Sequence, residues 1–151
     1  MGTVSVAVPA VSMRKRSLFS VVAGIAAIGA LAYLYDPPWA DRVTSGMEAW
    51  SKDAQGTFFR WTAGRASFFI PASATSLLLP LRTPNFNRTV AVEIRVDDRF
   101  LATIQLTHPD VWVSQELPLG RHRAGRRYRR IDLRVEGAVG RGIMTGQPTV
   151  W

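Results

Sequence analysis

The chain divides into two regimes of hydrophobic patterning. From Ser17 to Tyr35, apolar and small residues follow one another without a charge and without a polar face. A helix over 18–35, with Leu18 and Tyr35 at its ends, would be about 27 Å long, close to the ~30 Å hydrocarbon core of a bilayer. Asp36 and Pro37-Pro38 end it, because proline supplies no amide donor and its ring collides with the preceding helical turn. From Gly56 onward the period is two. Val90, Val92, Ile94 and Val96 alternate with Ala91, Glu93 and Arg95; Phe100, Ala102, Ile104 and Leu106 alternate with Leu101, Thr103 and Gln105. Each series reads as a half-buried strand with Asp97-Asp98-Arg99 as the turn, so the pair predicts an antiparallel hairpin. Further strands are predicted at 57–61, 65–70, 75–81, 112–117 and 129–136. Pro71, Pro80, Pro84, Pro109 and Pro118 fall near their boundaries, where a missing ladder N–H costs least. Short strands at this spacing, with no helical period between them, predict an all-β fold: an antiparallel jelly-roll-like β-sandwich preceded by one N-terminal transmembrane helix.

Four segments result: a cytoplasmic N-terminal segment over 1–16, a transmembrane helix or signal peptide over 17–35, a juxtamembrane linker over 36–55 and the sandwich over 56–151. A short helical turn is expected at 44–52. Arg14, Lys15 and Arg16 precede the apolar run, whereas Asp36, Asp41 and Arg42 follow it. The positive-inside rule keeps the N-terminus cytoplasmic and places the rest of the chain outside, with Tyr33, Tyr35 and Trp39 at the level of an interfacial aromatic belt. Two other readings stand beside the anchor. Ala30-Leu31-Ala32 is a small-x-small cleavage site after a basic start, as in a signal peptide, and the run also suits a buried helix of a soluble protein. Anchor and signal peptide share the consequence of export, giving as location the bacterial inner membrane, single-pass, with the C-terminal domain periplasmic or extracellular. The bilayer is then the first partner, through Leu18 and the residues up to Tyr35.

Composition adds a charge to this picture. The 151 residues carry a formal charge of +8, almost all of it arginine, since Lys15 and Lys52 are the only lysines. Such basicity draws anionic surfaces: nucleic acid, acidic lipid or acidic glycan. There is no cysteine, which excludes disulfides, thiolate metal sites and cysteine nucleophiles. The charge is densest in RHRAGRRYRRIDLRV, 121–135, with seven arginines in fifteen residues. Its second half is a strand, with Ile131, Leu133 and Val135 facing one way and Arg130, Asp132 and Arg134 the other; its first half, RHRAGRR, is a polar loop. Nucleic acid is set aside as a partner, because no zinc spacing, RNP-type aromatic motif or helix-turn-helix pattern accompanies the charge and the domain is expected outside the cell. Anionic lipid headgroups and acidic glycans remain, beside the plain reading of a solvated strand edge.

No catalytic residue is expected. His108 and His122, the only histidines, lie in predicted loops, and no carboxylate pair has a spacing that suggests acid–base work. The glycines of 137–146 lack the strand and helix that a phosphate-cradling loop needs. No metal site and no cofactor is indicated. Binding is the alternative that the aromatics carry. Phe58, Phe59, Trp61, Phe68, Phe69, Trp112 and Trp151 exceed what one sheet face requires, and Phe68 and Phe69 must face opposite sides of a regular strand. An exposed aromatic beside arginine is how a sandwich stacks a sugar ring. The candidate ligand-binding residues are therefore Trp61, Arg65, Phe69, Trp112, Arg126, Arg127 and Arg130, although filling of the core is the plainer role for Trp61 and Trp112.

Residues 56–136 carry a resemblance. GTFFRWTAGRASFFIP, LLLPLRTP, TVAVEIRVDDRFLATIQLT, WVSQELPL and RRYRRIDLRVEG follow one another in a recognisable order. This resembles the β-sandwich domain attached to bacterial multi-pass glycosyltransferase-like and uncharacterised membrane proteins, itself similar to galactose-binding-like, carbohydrate-module-like jelly rolls. Its most specific piece is Arg60-Trp61-Thr62 with Gly64-Arg65-Ala66. The resemblance implies a jelly roll on the outer side of a membrane, in envelope or glycan biology, and implies no catalytic role for any residue. Two features depart from it: one apolar segment stands where several would be, and the tail is short. Either 143–151 supplies a shortened closing strand, or an edge is left open for a partner. The function expected is thus a membrane-tethered, exported, non-catalytic sandwich that binds glycan or acts in an envelope glycan assembly. The alternative is an accessory subunit docking on a larger membrane protein without glycan contact.

Overall fold

The structure, a computed structural model, describes residues 12–84, 88–121, 125–137 and 141–151. His122 and Arg123 of the basic stretch lie outside the described residues. The chain forms two compact units that meet in sequence between Pro37 and Pro38. Among its described residues the first holds one helix, α1 (Ser12–Tyr35), about 36 Å long at ~1.5 Å per residue. Its large side chains are exposed on every side, Leu18, Phe19, Ile25, Ile28 and Leu34 among them. No described residue of this unit covers them, and the helix is long and apolar enough to cross a membrane. The amide of Asp36 still reaches the carbonyl of Ala32 at 3.1 Å, and the two prolines then stop the helix.

Among its described residues the second unit has ten strands: β1 (Thr44–Met47), β2 (Ser51–Lys52), β3 (Phe58–Pro71), β4 (Ser76–Arg82), β5 (Val90–Val96), β6 (Arg99–Leu106), β7 (Val113–Pro118), β8 (Tyr128–Val135), β9 (Arg141–Gly146) and β10 (Thr149–Val150). Every recorded pairing is antiparallel. The long β3 serves both layers. Its residues 65–71 pair with β8, which continues to β5 and β6, while residues 59–63 pair with β9, which continues to β4 and β7. The layers close on one core. Phe68, Ile70, Ile131, Leu133, Val92 and Ile94 enter it from the first, and Leu77, Leu79, Leu81, Leu117 and Ile143 from the second. Leu77, Leu79 and Leu81 expose none of their surface, and full burial of such a side chain is worth about 2 kcal/mol. This is the jelly-roll-like β-sandwich with one N-terminal apolar helix that the periodicity predicts.

Several local expectations are corrected. The strands expected at 57–61 and 65–70 are one strand of 14 residues. No helical turn forms at 44–52: β1 and β2 lie there and pair with β3, after a single 3-10 turn at Ala40–Arg42. The segment read as a linker therefore contributes to the sheet. Gly46 makes this local course feasible. Its φ is +66°, and a Cβ at that position would lie 2.0 Å from the carbonyl oxygen of Arg65, so only glycine lets β1 close on β3. Pro80 sits inside β4 rather than at its end, opposite Ser114 of β7; β4 has no recorded partner at 79–80 on its other side, between β10 and β9, which is where a missing N–H is tolerated. The tail supplies the closing strands, with β9 lying between β3 and β4. The hairpin of β5 and β6 forms, turning on Asp97 and Asp98 with φ of 50° and 67°, left-handed conformations that aspartate tolerates better than most residues, but a register shift between Ile94 and Arg95 interrupts the pairing, and Phe100, expected on the apolar face, is exposed.

Candidate functional site

The register of the first layer places an ordered set of polar side chains on its outer face. Side chains directly opposite each other across paired strands share a face. One row runs Arg65 (β3), Arg134 (β8), Glu93 (β5) and Thr103 (β6). The next runs Ser45 (β1), Ser67 (β3), Asp132 (β8) and Arg95 (β5). A third pairs Phe69 with Arg130. The inward neighbours on the same strands, Ala66, Phe68, Ile131 and Leu133, are buried, so strand alternation alone aims these polar groups outward. Between β1, β3 and β8 the surface forms an open groove of roughly 170 Å³, lined by Ser45, Arg65, Ser67, Asp132 and Arg134, with Asp98 and Arg130 beside it.

The tip of the β5–β6 hairpin fixes one side of this groove. Asp97 Oδ1 accepts the backbone N–H of Arg130 at 3.0 Å, and its own N–H donates to the carbonyl of Arg130 at 2.9 Å. Asp97 Oδ2 accepts from Arg129 Nε at 3.2 Å, and Arg129, itself buried, donates from Nη1 to the Gly120 carbonyl at 2.7 Å. With the tip pinned, Asp98 reaches Arg130 Nη2, while Arg130 Nε donates to Asp132 at 3.0 Å. The Asp132 hydrogen bond, with the Asp132, Asp98 and Asp97 charges outweighing burial, raises Arg130 above the ordinary arginine range. Arg95 binds Glu93 at 2.7 Å, and Arg134 lies 3.9 Å from the same carboxylate. A fixed array of guanidinium donors, carboxylate acceptors and hydroxyls, with the half-buried Phe69 opposite Arg130 in the next row, is able to hydrogen-bond a polyhydroxylated ligand from several directions.

The outer face of the second layer is different in kind. There Trp61 (β3), Met144 (β9) and Arg82 (β4) lie in one row, with Phe59 and Gly146 in the next. The guanidinium of Arg82 stands 5.0 Å from the ring centroid of Trp112 and 6.0 Å from that of Phe59, and donates to the Met144 sulfur at 3.1 Å and to Asp53 at 3.4 Å. Trp112 Nε1 also donates to Asp53, at 3.5 Å, and Phe59 meets Trp61 edge-to-face at 6.0 Å. Burial alone would raise Asp53, but the backbone N–H groups of Thr57 and Gln55, the Trp112 indole and the Arg82 charge together hold it below the usual carboxylate range. Trp61 and Trp112, for which the core was the plainer expectation, thus lie outside it, half-buried in a satellite cluster around Arg82.

The candidate residues therefore separate. Arg65, Phe69 and Arg130 come together on the first layer; Trp61 and Trp112 share the second; Arg126 and Arg127 are exposed in the loop before β8. Sequence reasoning missed Ser45, Ser67, Asp98 and Arg82, and placed Asp132 and Arg134 on the outer face without naming them as site residues. Ser67 was within reach, because it alternates in phase with Arg65 and Phe69. His108 hydrogen-bonds the hydroxyl of its neighbour Thr107 at 2.9 Å. Among the described residues no group of three or more His, Cys, Asp or Glu is placed to hold a metal ion.

No protein-family model and no curated protein matches the chain. Among solved structures it is similar to the C-terminal domain of EclA, a sugar-binding protein, with a TM-score of 0.42 and 7% identity over 72% of this chain and 65% of that one. It is also similar to a Paenibacillus sp. cycloisomaltooligosaccharide glucanotransferase, with a TM-score of 0.49 and 18% identity over 74% of this chain and 17% of that one. A third is CsCBM6-3 from Clostridium stercorarium, solved in complex with cellobiose, with a TM-score of 0.45 and 11% identity over 72% of this chain and 85% of that one. The chain thus spans less than two thirds of the first two. Likenesses at these levels place no residue of the site.

Proposed function

We propose that this chain is a membrane-tethered, non-catalytic β-sandwich that binds glycan through the outer face of its first layer, on the outer side of a bacterial inner membrane. The observation that carries this reading is the groove itself, where Arg65, Ser67, Arg130, Asp132 and Arg134 present donors and acceptors from adjacent strands, with Phe69 the cross-strand partner of Arg130 on the same face. Sugars offer this kind of site what it needs: hydroxyls that act as both donor and acceptor, and an apolar ring face for an aromatic edge. The anchor reading rests on α1, whose apolar side chains are exposed all round, as lipid requires of a spanning helix.

The test is retention of the full chain, held in lipid nanodiscs, on immobilised polysaccharides, followed by titration. Arg130→Gln removes charge-assisted hydrogen bonds worth about 1.5–3 kcal/mol each, so binding is expected to weaken by about tenfold or more; Phe69→Ala is expected to weaken it as well. A chain that binds no polysaccharide, or whose binding survives both substitutions, refutes the reading.

A further inference from the structure

The charges on this face are not evenly matched. Arg130 is held by Asp132 and Asp98, and Arg95 by Glu93. At the other end of the groove, Arg65 and Arg134 are direct cross-strand partners. Among the described residues no carboxylate lies within ion-pair range of Arg65. Arg134 reaches only Glu93, at 3.9 Å, and that carboxylate is already taken by Arg95 at 2.7 Å. Two like charges directly opposite each other on paired strands repel. Both side chains are exposed, so the repulsion is one that solvent makes bearable and that a bound anion would relieve. Ser67 and Ser45, a register pair in the adjacent row, place hydroxyl donors beside them. Gly46 then draws β1 against the backbone of Arg65 and so shapes that wall of the groove.

We infer that the Arg65–Arg134 end of the groove is an anion subsite, and that the glycan it takes is an acidic one whose carboxylate or sulfate group seats between the two guanidinium groups. The inference rests on the glycan-binding reading and names the class of ligand. Arginine suits this task because its planar fork donates two parallel hydrogen bonds to a carboxylate or sulfate edge. The sugar hydroxyls would then extend toward Ser67, Asp132 and Arg130. A chain of this overall charge attracts any polyanion weakly, so what distinguishes a subsite is dependence on these two arginines rather than on others.

Titration of the full chain in neutral-lipid nanodiscs, against polygalacturonate, dextran sulfate and uncharged dextran at physiological salt, tests it. The variants are Arg65→Gln, Arg134→Gln and, as a control for bulk charge, Arg121→Gln in the exposed loop. Polygalacturonate or dextran sulfate is expected to bind, and whichever does distinguishes carboxylate from sulfate. Each groove variant is expected to weaken that binding about tenfold or more, and Arg121→Gln by less than about twofold. Thermal melts without ligand keep folding out of the comparison, because relieving a like-charge pair leaves the midpoint unchanged or raised, while the ligand-induced rise disappears. Equal weakening by all three variants shows bulk charge and overturns the subsite. Binding of uncharged dextran that neither groove variant alters overturns the subsite but leaves glycan binding standing. Binding of no polysaccharide overturns both, and if phosphatidylglycerol vesicles bind instead with the same dependence on Arg65 and Arg134, the anion is a lipid headgroup.

Discussion

Asp97 is the residue on which the geometry of the groove turns, and its replacement gives a measurable test of that geometry. Its carboxylate serves the buried guanidinium of Arg129 at 3.2 Å and the backbone N–H of Arg130 at 3.0 Å. The Arg129 side chain is 7% exposed and that of Asp97 32%. Asp97→Asn keeps the size, the tolerance of a left-handed backbone and one acceptor oxygen, but it removes the charge, leaving Arg129 buried with the Gly120 carbonyl as a neutral partner. Two unit charges at ~4 Å attract by about 4 kcal/mol at an effective dielectric of ~20. Solvent at the partly exposed Asp97 cuts this, so a loss of roughly 2 kcal/mol is expected. For a domain of this size that is a fall of about 8 °C in midpoint. Arg129→Met removes the buried charge together with its need for a partner, so it should cost no more than about 1 kcal/mol. The double variant should then be little worse than Arg129→Met alone, with a coupling of about 1–2 kcal/mol between the sites. Thermal and urea unfolding of the full chain in detergent, followed by tryptophan fluorescence, measures all three. A change below about 0.5 kcal/mol for Asp97→Asn, or strict additivity in the cycle, would refute the clamp.

Gly46→Ala places a methyl group where the Arg65 carbonyl stands and forces a non-glycine residue to a φ of +66°; a destabilisation of about 2 kcal/mol or more is expected, with faster hydrogen exchange at the β1–β3 amides, and retention of wild-type stability and exchange would contradict the close approach. Asp53 is held below the usual carboxylate range in the folded state, so its contribution to stability is intact above the ordinary aspartate pKa of ~3.9 and is lost as pH falls through the lower folded value. Tryptophan emission should accordingly stay constant from neutral pH down to about 4 and shift below it as Trp112 and Arg82 lose their partner; Asp53→Asn should abolish that acid step, and a step that survives in this variant belongs to another group. Protease added to intact spheroplasts should digest the sheet domain while leaving α1 in the membrane fraction; a domain cut only after lysis rules out the outward orientation.

What the sequence made legible and what it hid have physical causes. The alternation in 90–96 and 130–135 reports one-sided burial, and every side chain it assigns to the inside of β5 and β8 is buried: Val90, Val92, Ile94 and Val96, then Ile131, Leu133 and Val135; in β6 it holds for Ile104 and Leu106 but fails at the exposed Phe100. The relation of β3 to the rest was not legible. Phe58, Phe59, Trp61, Phe68 and Phe69 make both faces of that strand read as apolar, and nothing local tells which face is covered by what. Phe68 fills the core, whereas Phe59 is buried from outside by Arg82, a residue 23 positions away whose approach depends on the β9 pairing. For the same reason the core is the plainer sequence expectation for the ligand-binding candidates Trp61 and Trp112: large apolar rings default to the interior unless a distant cation with its own carboxylate builds a second, smaller cluster. The strands β1 and β2 were missed because TSGM and SK are too short and too polar to show a period, and they form strands because β3 offers them a free edge.

The basic stretch shows how far composition goes before register takes over. Three of its arginines sit on β8, and alternation separates Arg129 from Arg130 and Arg134. Arg129 turns inward at the end of the sandwich, where Asp97 and the Gly120 carbonyl hold it, so its charge is not offered to any ligand. Arg130 turns outward but is held by two carboxylates. Arg134, no different from them in sequence, is the one set opposite another arginine, because β8 pairs with β3 in the register that aligns it with Arg65. A shift of two residues along β3 would have put Arg134 against Ser67 or Ala63 and removed the repulsion altogether. Binding potential on this surface therefore does not follow the density of arginine along the chain; it follows the pairing of strands 58–71 and 128–135, which sets Arg65 opposite Arg134, whose carboxylate neighbour Glu93 at 3.9 Å is shared with Arg95, in the row next to Ser45 and Ser67.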